Sequence, residues 1–282
     1  MTALSEKIDR ITAARLPLWI SGPSGSGKDF MVEYIRKSGE FSGIIKTDEI
    51  LEREEYRNRF FADERRRFGP DTILYFDRLE FFGPEAQKTV TEIIEHSEIS
   101  PGGSTTTVSS LLVLSTIAEP DEIQKKGLLS DTLLHHILPF HVRIKPLAER
   151  KDEIPLLLSR FLELYGTENG KTIFLGRDAA GFLHDYPFPG NVRELENLAR
   201  YLAAVKQTGE TVGINDIPSW MFDLMRNSGL DSLAPGLTLK EYERIIIEKT
   251  LALLGGNRLK AAEMLGISER NLYRKIKEYS LT

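Results

Sequence analysis

Over the first half of the chain, short and nearly continuous apolar runs alternate with stretches whose apolar residues recur at helical spacing. Leu16 to Ser21 (LPLWIS) runs into a glycine-rich loop, and Asp29 to Lys37 (DFMVEYIRK) follows with helical periodicity. Further strand-length runs lie at Ile44-Ile45, Thr72 to Phe76 (TILYF), Leu111 to Thr116 (LLVLST) and around Phe140 to Ile144. Between the last-but-two and last-but-one of these, Glu85 to His96 places Val90, Ile93 and Ile94 on one helical face. Strands that are apolar on both sides belong in a parallel sheet covered by helices on both faces. Residues 1–150 therefore read as an α/β unit. After Pro146 the pattern becomes helical at Ile154 to Tyr165, Asp178 to Asp185 and Val192 to Val205, which predicts a helical subdomain over 151–225. Residues 226–236 (RNSGLDSLAPG) have no periodicity and read as a linker. The remainder, 237–282, reads as three helices. Thr238 and Glu241 form a capping box for the first, Gly255-Gly256 ends it, Asn257 caps the second, and Gly266 with Ser268 marks a tight turn into the third.

Composition narrows the chemistry. The 282 residues contain no cysteine, which excludes disulfides, thiolate zinc sites and cysteine nucleophiles. No apolar run has the length of a signal peptide or a membrane span, so a cytoplasmic protein without membrane contact is expected. The net charge of −5 argues against wholesale coating of nucleic acid. From Asn257 to Thr282, however, six basic residues stand against three acidic ones, a local +3 that leaves −8 for the rest.

Two motifs carry chemistry. Gly22-Pro23-Ser24-Gly25-Ser26-Gly27-Lys28-Asp29 has the G-x4-G-K spacing between an expected strand and an expected helix. Glycines allow backbone amides to converge on phosphate oxygens, the helix N-terminus favours negative charge, and Lys28 adds a point charge. Asp29 stands where the general motif has the Ser or Thr that touches magnesium. Asp77, at the end of TILYF, is the candidate carboxylate for Mg2+, held directly or through water; an Asp after a strand is also a common turn former. ATP or ADP with Mg2+ is the expected ligand.

The residues resemble a known family, the NtrC-type AAA+ activators of sigma-54 RNA polymerase, also called bacterial enhancer-binding proteins. GPSGSGKD resembles their Walker A motif, in which an acidic residue after the lysine is usual. TILYFDRLEFFGPEAQKTV resembles their Walker B strand and following helix, PLAERKDEIPLL the segment entering their lid, and YPFPGNVRELENLARYL their sensor 2 signature. GGNRLKAAEMLGISERNLYRKIKEY resembles their Fis-type helix-turn-helix. The resemblance covers almost the whole chain and implies a P-loop AAA+ parallel-sheet domain with an α-helical lid and a C-terminal three-helix DNA-binding domain. It also implies that Arg193 reaches the γ-phosphate, a task suited to a permanently charged, forked guanidinium.

The departures from the family pattern bear on mechanism. Active members follow the Walker B aspartate with a glutamate that prepares the attacking water, whereas Arg78 stands here, and a guanidinium cannot accept a proton. Ile117 takes the place of the sensor 1 asparagine. Leu129 and His135 stand where the family supplies arginines to a neighbouring subunit, groups that contribute about 10³ to 10⁵ in rate. The interval from Lys28 to Asp77 lacks the GAFTGA loop that touches sigma-54. In its place DEILEREEYRNRFFADERRRFGPD reads as a solvated helix. No receiver or other sensory domain is expected ahead of residue 16, and input is expected from a separate sensory protein, from nucleotide or from another small ligand.

In the tail, Ala261, Ala262, Leu265, Ile267, Leu272 and Ile276 supply the small and apolar positions of a helix-turn-helix. With Ser268 as cap, Glu269, Arg270, Asn271, Tyr273 and Arg274 fall in the first turns of a recognition helix facing the major groove of double-stranded DNA. Asn257, Lys260, Lys275 and Lys277 suit phosphates. Leu239, Tyr242, Ile245, Ile246 and Leu253 are candidates for a dimer interface, as the resemblance implies, or for local core; the pattern supports either. Self-association through the tail, higher assembly through the AAA+ body and contact with RNA polymerase complete the expected partners. The leading expectation is a DNA-binding regulator that binds nucleotide but is defective in hydrolysis and sigma-54 contact. The alternatives are a working sigma-54 ATPase activator and an architectural repressor whose AAA+ body serves only assembly. A small-molecule kinase fits neither the lid nor the tail.

Overall fold

The computed structural model describes residues 2–47, 49–63, 68–100, 103, 105–222, 224, 238–253, 257–279 and 281. The chain forms two compact units, Met1–Asp216 and Ile217–Thr282. The expected linker at 226–236 and Gly255-Gly256 lie outside the described residues.

In the first unit the order is α1 (Thr2–Ala13), β1 (Leu18–Ser21), α2 (Lys28–Ser38), β2 (Gly43–Thr47), α3 (Glu54–Ala62), β3 (Thr72–Phe76), α4 (Pro84–His96), β4 (Glu98–Ile99), β5 (Thr106–Thr107), β6 (Leu111–Thr116), α5 (Pro120–Lys126), α6 (Asp131–Ile137) and β7 (His141–Arg143). The lid follows, with α7 (Ile154–Glu168), β8 (Phe174–Leu175), α8 (Arg177–Asp185), α9 (Asn191–Val205) and β9 (Thr211–Val212). Five strands make a wholly parallel sheet in the order β2-β3-β6-β1-β7. Alternate residues of each strand go to opposite faces, and both faces are buried, as the continuous apolar runs require. Leu18, Ile20, Ile73, Tyr75, Leu111 and Val113 meet α1 and α2 through Ile8, Ile11, Val32 and Ile35. Trp19, Leu74, Phe76, Leu112 and Leu114 meet α4 and α6 through Val90, Ile93, Leu133, Leu134 and Ile137. The Trp19 indole N–H is satisfied by Thr116 Oγ1 at 3.0 Å. Because the strands are parallel, all their carboxyl ends lie along one edge, which brings together the segments that follow β1, β3, β6 and β7.

Two expectations need correction. The charged stretch from 48 to 71 is not a solvated helix throughout: α3 exposes Glu54, Glu55 and Arg59 but buries Phe60 and Phe61, which pack with Leu51 and Phe68 in the core. Three aromatic side chains outweigh the surrounding charge because each removes a large apolar area from water. The amino-terminal segment, for which the apolar pattern predicts no element, forms α1, and its Ile8 and Ile11 at i, i+3 are buried against the sheet. The short helices α5 and α6 were also not foreseen. α6 starts at Ser130, whose hydroxyl accepts from Leu133 N.

In the second unit the three expected helices are Leu239–Leu253, Arg258–Met264 and Glu269–Glu278. The foreseen caps form: Thr238 and Glu241 bond reciprocally, Asn257 Oδ1 accepts from Lys260 N, and Ser268 Oγ accepts from Asn271 N. Gly266 adopts φ 65°, the left-handed turn residue. The core is Ile247, Leu251, Ala261, Ala262, Leu272 and Ile276, with Leu265 and Ile267 against it. Of the apolar positions foreseen on the first helix, Ile246 is 45% exposed, while Ile247 and Leu251, one turn apart, face inward instead.

Replacing Ile8 with Ala should destabilise the first unit by about 2 to 5 kcal/mol, the range for a large buried aliphatic cut to Ala. Urea denaturation followed by circular dichroism measures it, and a loss under about 0.5 kcal/mol, the level of surface substitutions, would show that α1 is not part of the folded core.

Candidate functional site

The loop after β1 is held from three sides. Gly22 N donates to Thr116 O at the end of β6, and Arg150, entering the lid, donates from Nη2 to Ser26 O at 2.6 Å. The third hold is α9. The amides of Val192 and Arg193 both point at Gly25 O, at 2.9 and 3.3 Å, and Asn191 Nδ2 donates to Ser24 O at 3.0 Å. Gly25 has φ 74°, and a Cβ there would lie 2.3 Å from Gly190 O, so only glycine permits this approach. Asn191 is 4% exposed, sits at φ 54°, and accepts the Leu147 amide on Oδ1 at 2.8 Å. One asparagine thereby ties the phosphate-type loop, the lid entrance and the start of α9.

The remaining geometry is that of an anion cradle. Gly27, at φ 106°, leads into α2 with no side-chain cap and with open space where its Cβ would be. The Ser26 hydroxyl is buried without a hydrogen-bond partner. Lys28 is 8% exposed and donates to Gly22 O and Pro23 O. Burial lowers its proton affinity, and the charges of Asp77, Glu80 and Asp29 restore part of it. Arg193 donates to Ser24 Oγ at 3.2 Å, which sets its guanidinium beside the loop. Gly22 to Asp29 and Arg193, dispersed over more than 160 residues of sequence, are thus assembled in one place.

Asp77 is engaged on both oxygens. Oδ1 accepts from Ser115 Oγ at 2.7 Å and from the Tyr75 hydroxyl at 3.1 Å, and Oδ2 pairs with Lys46 Nζ at 2.9 Å. Burial works against its charge, but these hydrogen bonds and the neighbouring ammonium outweigh it and hold the carboxyl below its ordinary range. Lys46 also pairs with Asp29 Oδ1 at 2.8 Å. Three residues beyond Asp77, Glu80 accepts the Ile117 amide on Oε1 at 2.6 Å, while Oε2 is buried with no hydrogen-bond partner. Burial raises its pKa.

Lys46, Glu80, Arg150 and Asn191 are the site residues that sequence reasoning missed. Arg150 and Asn191 sat inside the quoted lid segments and Glu80 inside the quoted Walker B segment, so a signal existed for each; nothing local marked Lys46. The departures expected to weaken catalysis have definite places. Arg78, at φ 56°, lies with its guanidinium carbon 5.7 Å from the Phe81 ring centre. Leu129 is buried core, and His135 is exposed on α6.

On the third helix of the second unit, Glu269, Arg270, Tyr273, Arg274 and Lys277 are exposed. Asn271 accepts from Arg274 Nη2 at 2.9 Å, and Arg258 stacks 5.0 Å from the Tyr273 ring centre. Lys260 and Asn257 are exposed at the start of the second helix. Lys275 departs from the expected phosphate role: its side chain is 15% exposed and pinned to Glu243 of the first helix.

A P-loop AAA+ core, a helical lid and a three-helix Fis-type module define the class. Residues 1–147 match the Sigma-54 interaction domain, 148–229 the AAA+ ATPase lid domain, and 238–279 the bacterial regulatory protein, Fis family. The chain belongs to the Sigma-54 interaction domain family, among transcriptional regulators of the NtrC type. It is 25% identical to the DNA-binding transcriptional regulator NtrC of Azospirillum brasilense, over 100% of this chain and 68% of the relative. Against regulatory protein AtoC of Escherichia coli the identity is 27%, covering 96% of this chain and 64% of the relative. In fold it resembles NtrX from Brucella abortus crystallised with ADP (TM-score 0.71, 20% identity, 99% of this chain and 68% of that one). It also resembles RuvB of Thermotoga maritima (TM-score 0.57, 16% identity, 99% and 87%). The chain spans about two thirds of the NtrC, AtoC and NtrX chains. No helix among the described residues is long and apolar enough to cross a membrane.

Asn191→Ala should cost about 2 to 4 kcal/mol, combining an unsatisfied buried Leu147 amide with a left-handed backbone that alanine resists. Asn191→Gly removes the backbone part and should recover about 1 kcal/mol of it. Equal losses for the two variants in urea denaturation would contradict this division.

Proposed function

We propose that this chain is a DNA-binding transcription regulator whose AAA+ body binds ATP or ADP as a ligand controlling assembly, with hydrolysis slow or absent. The observation that carries the reading is the pairing of an intact cradle with a displaced catalytic position. Gly22 to Lys28, Ser26 Oγ and Arg193 are arranged for phosphates, yet the residue after Asp77 is an arginine turned toward Phe81. A bound nucleotide supplies charge at the junction of loop and lid, and Lys28, the α2 amides and Arg193 are the groups that would meet it. The proposed division is an AAA+ core over 1–150, a lid over 151–225, a linker over 226–236 and the DNA-binding domain over 237–282. Dimerisation through the first helix of the tail is proposed on the exposed Ile246, with further assembly through the AAA+ body. RNA polymerase or a separate sensory protein would be the further partner.

One observation favours the second reading, a working ATPase. Glu80 brings a carboxylate with a free buried oxygen and raised proton affinity close enough to influence Lys28. A carboxylate with a raised pKa near a phosphate site is what a base for water requires.

Binding and turnover of ATP, measured together with and without DNA, separate the two. Lys28→Ala should weaken nucleotide binding by about tenfold or more, with turnover negligible in the parent. Brisk turnover that Glu80→Gln abolishes would establish the second reading instead. In DNA binding, Arg270→Ala should cost about 1 to 3 kcal/mol and relax sequence preference, while Lys277→Ala should reduce the salt slope by about 1. Lys275→Ala should leave that slope unchanged and lower the melting temperature of the tail; the reverse result for Lys275 and Lys277 would reject the assigned face.

A further inference from the structure

The acids that a divalent cation would need at this site are already paired with a residue of the chain. Lys46 leaves β2, the edge strand of the sheet, in register with Tyr75 on β3. Its ammonium is 2.8 Å from Asp29 Oδ1, 2.9 Å from Asp77 Oδ2 and 5.0 Å from the centre of the Tyr75 ring. Two carboxylates and an aromatic face make a complete setting for one monovalent cation.

Magnesium does not fit the same residues. It demands near-octahedral oxygen coordination and is usually held by one or two carboxylates or hydroxyls together with phosphate oxygens. The hydroxyl position after Lys28 is Asp29, whose Oδ1 is given to Lys46. The Oδ1 of Asp77 is given to Ser115 and Tyr75, and its Oδ2 to Lys46. A metal entering between Asp29 and Asp77 would have to compete for both carboxylates with an ammonium anchored on the adjoining strand.

We propose that Lys46 takes the place of the divalent cation, so that this P-loop binds a nucleoside diphosphate or triphosphate independently of Mg2+. The inference rests on the nucleotide reading above and adds to it the identity of the neutralising charge. A fixed ammonium offsets one of the two negative charges of Asp29 and Asp77 and so reduces the repulsion they would exert on phosphate oxygens, which is part of a metal's electrostatic contribution. It does not supply the metal's octahedral bridging geometry, which suits a site that grips nucleotide more than it cleaves it.

The test is ADP binding to the full chain by calorimetry, in millimolar Mg2+ and in excess EDTA. Affinities within about threefold of each other are expected. Lys46→Met should bind ADP at least about tenfold more tightly with Mg2+ than without it, since Asp29 and Asp77 are then free for the metal. Lys46→Arg, which keeps a cation, should remain insensitive to the chelator. It supplies the comparison should the methionine variant not fold. Parent protein that loses ADP on chelation would overturn the inference while leaving the nucleotide reading intact, as would a Lys46→Met variant that stays metal-independent or a Lys46→Arg variant that becomes metal-dependent. Absence of ADP binding in both buffers would remove the nucleotide reading and this inference together.

Discussion

The constraint on which the site depends is the contact between Gly25 and the start of α9. A single carbonyl oxygen serves two amides of the lid helix, and the space between loop and lid is so small that a methyl group would collide with the backbone of Gly190. Everything else about the site is arranged around that approach. Asn191 must take a left-handed conformation to begin the helix there, and its side chain satisfies backbone groups from two other segments. Arg150 braces the loop from the lid entrance, and Arg193 comes to rest on Ser24. Loop and lid are therefore joined by direct hydrogen bonds, with no intervening linkage.

The second organising feature is the balance of charge at the carboxyl edge of the sheet. Asp29, Asp77 and Glu80 stand near Lys28, Lys46 and Arg193, and burial opposes the charge on Lys28, Asp77 and Glu80 alike. Asp77 is compensated by three donors and stays ionised with ease. Glu80 is met by main-chain amides and by the charge of Lys28, and its buried Oε2 has no hydrogen-bond partner. Such an atom persists in a folded protein at a cost in stability, a pattern found where a side chain is kept for chemistry or for a ligand.

The parts of this architecture that sequence reveals are those whose interactions are short in sequence. Ser268 with Asn271, Asn257 with Lys260 and Thr238 with Glu241 are contacts across three residues, and each was legible from residue type alone. The alternation of strands and the glycine spacing of the phosphate-type loop were legible for the same reason. Lys46 was not, because its meaning comes from partners 17 and 31 residues away on different elements. Glu80 depends on an amide 37 residues distant, and Arg150 on a carbonyl 124 residues distant. The phenylalanines of α3 were hidden by the acids and arginines around them, and Lys275 was counted as an outward charge although Glu243 turns it inward.

The position of Trp19 gives the protein an internal optical reporter. Its indole is fully buried on β1, directly before the loop, and its ring centre lies 4.7 Å from that of His141. The other tryptophan in the chain, Trp220, is half exposed and belongs to the other compact unit. Indole emission shifts to longer wavelength with contact to water, so the blue part of the spectrum follows the strand that carries the loop and the red part follows the second unit. Protonated imidazole quenches indole, so the blue component also records the ionisation of His141, whose pKa burial keeps below its ordinary value.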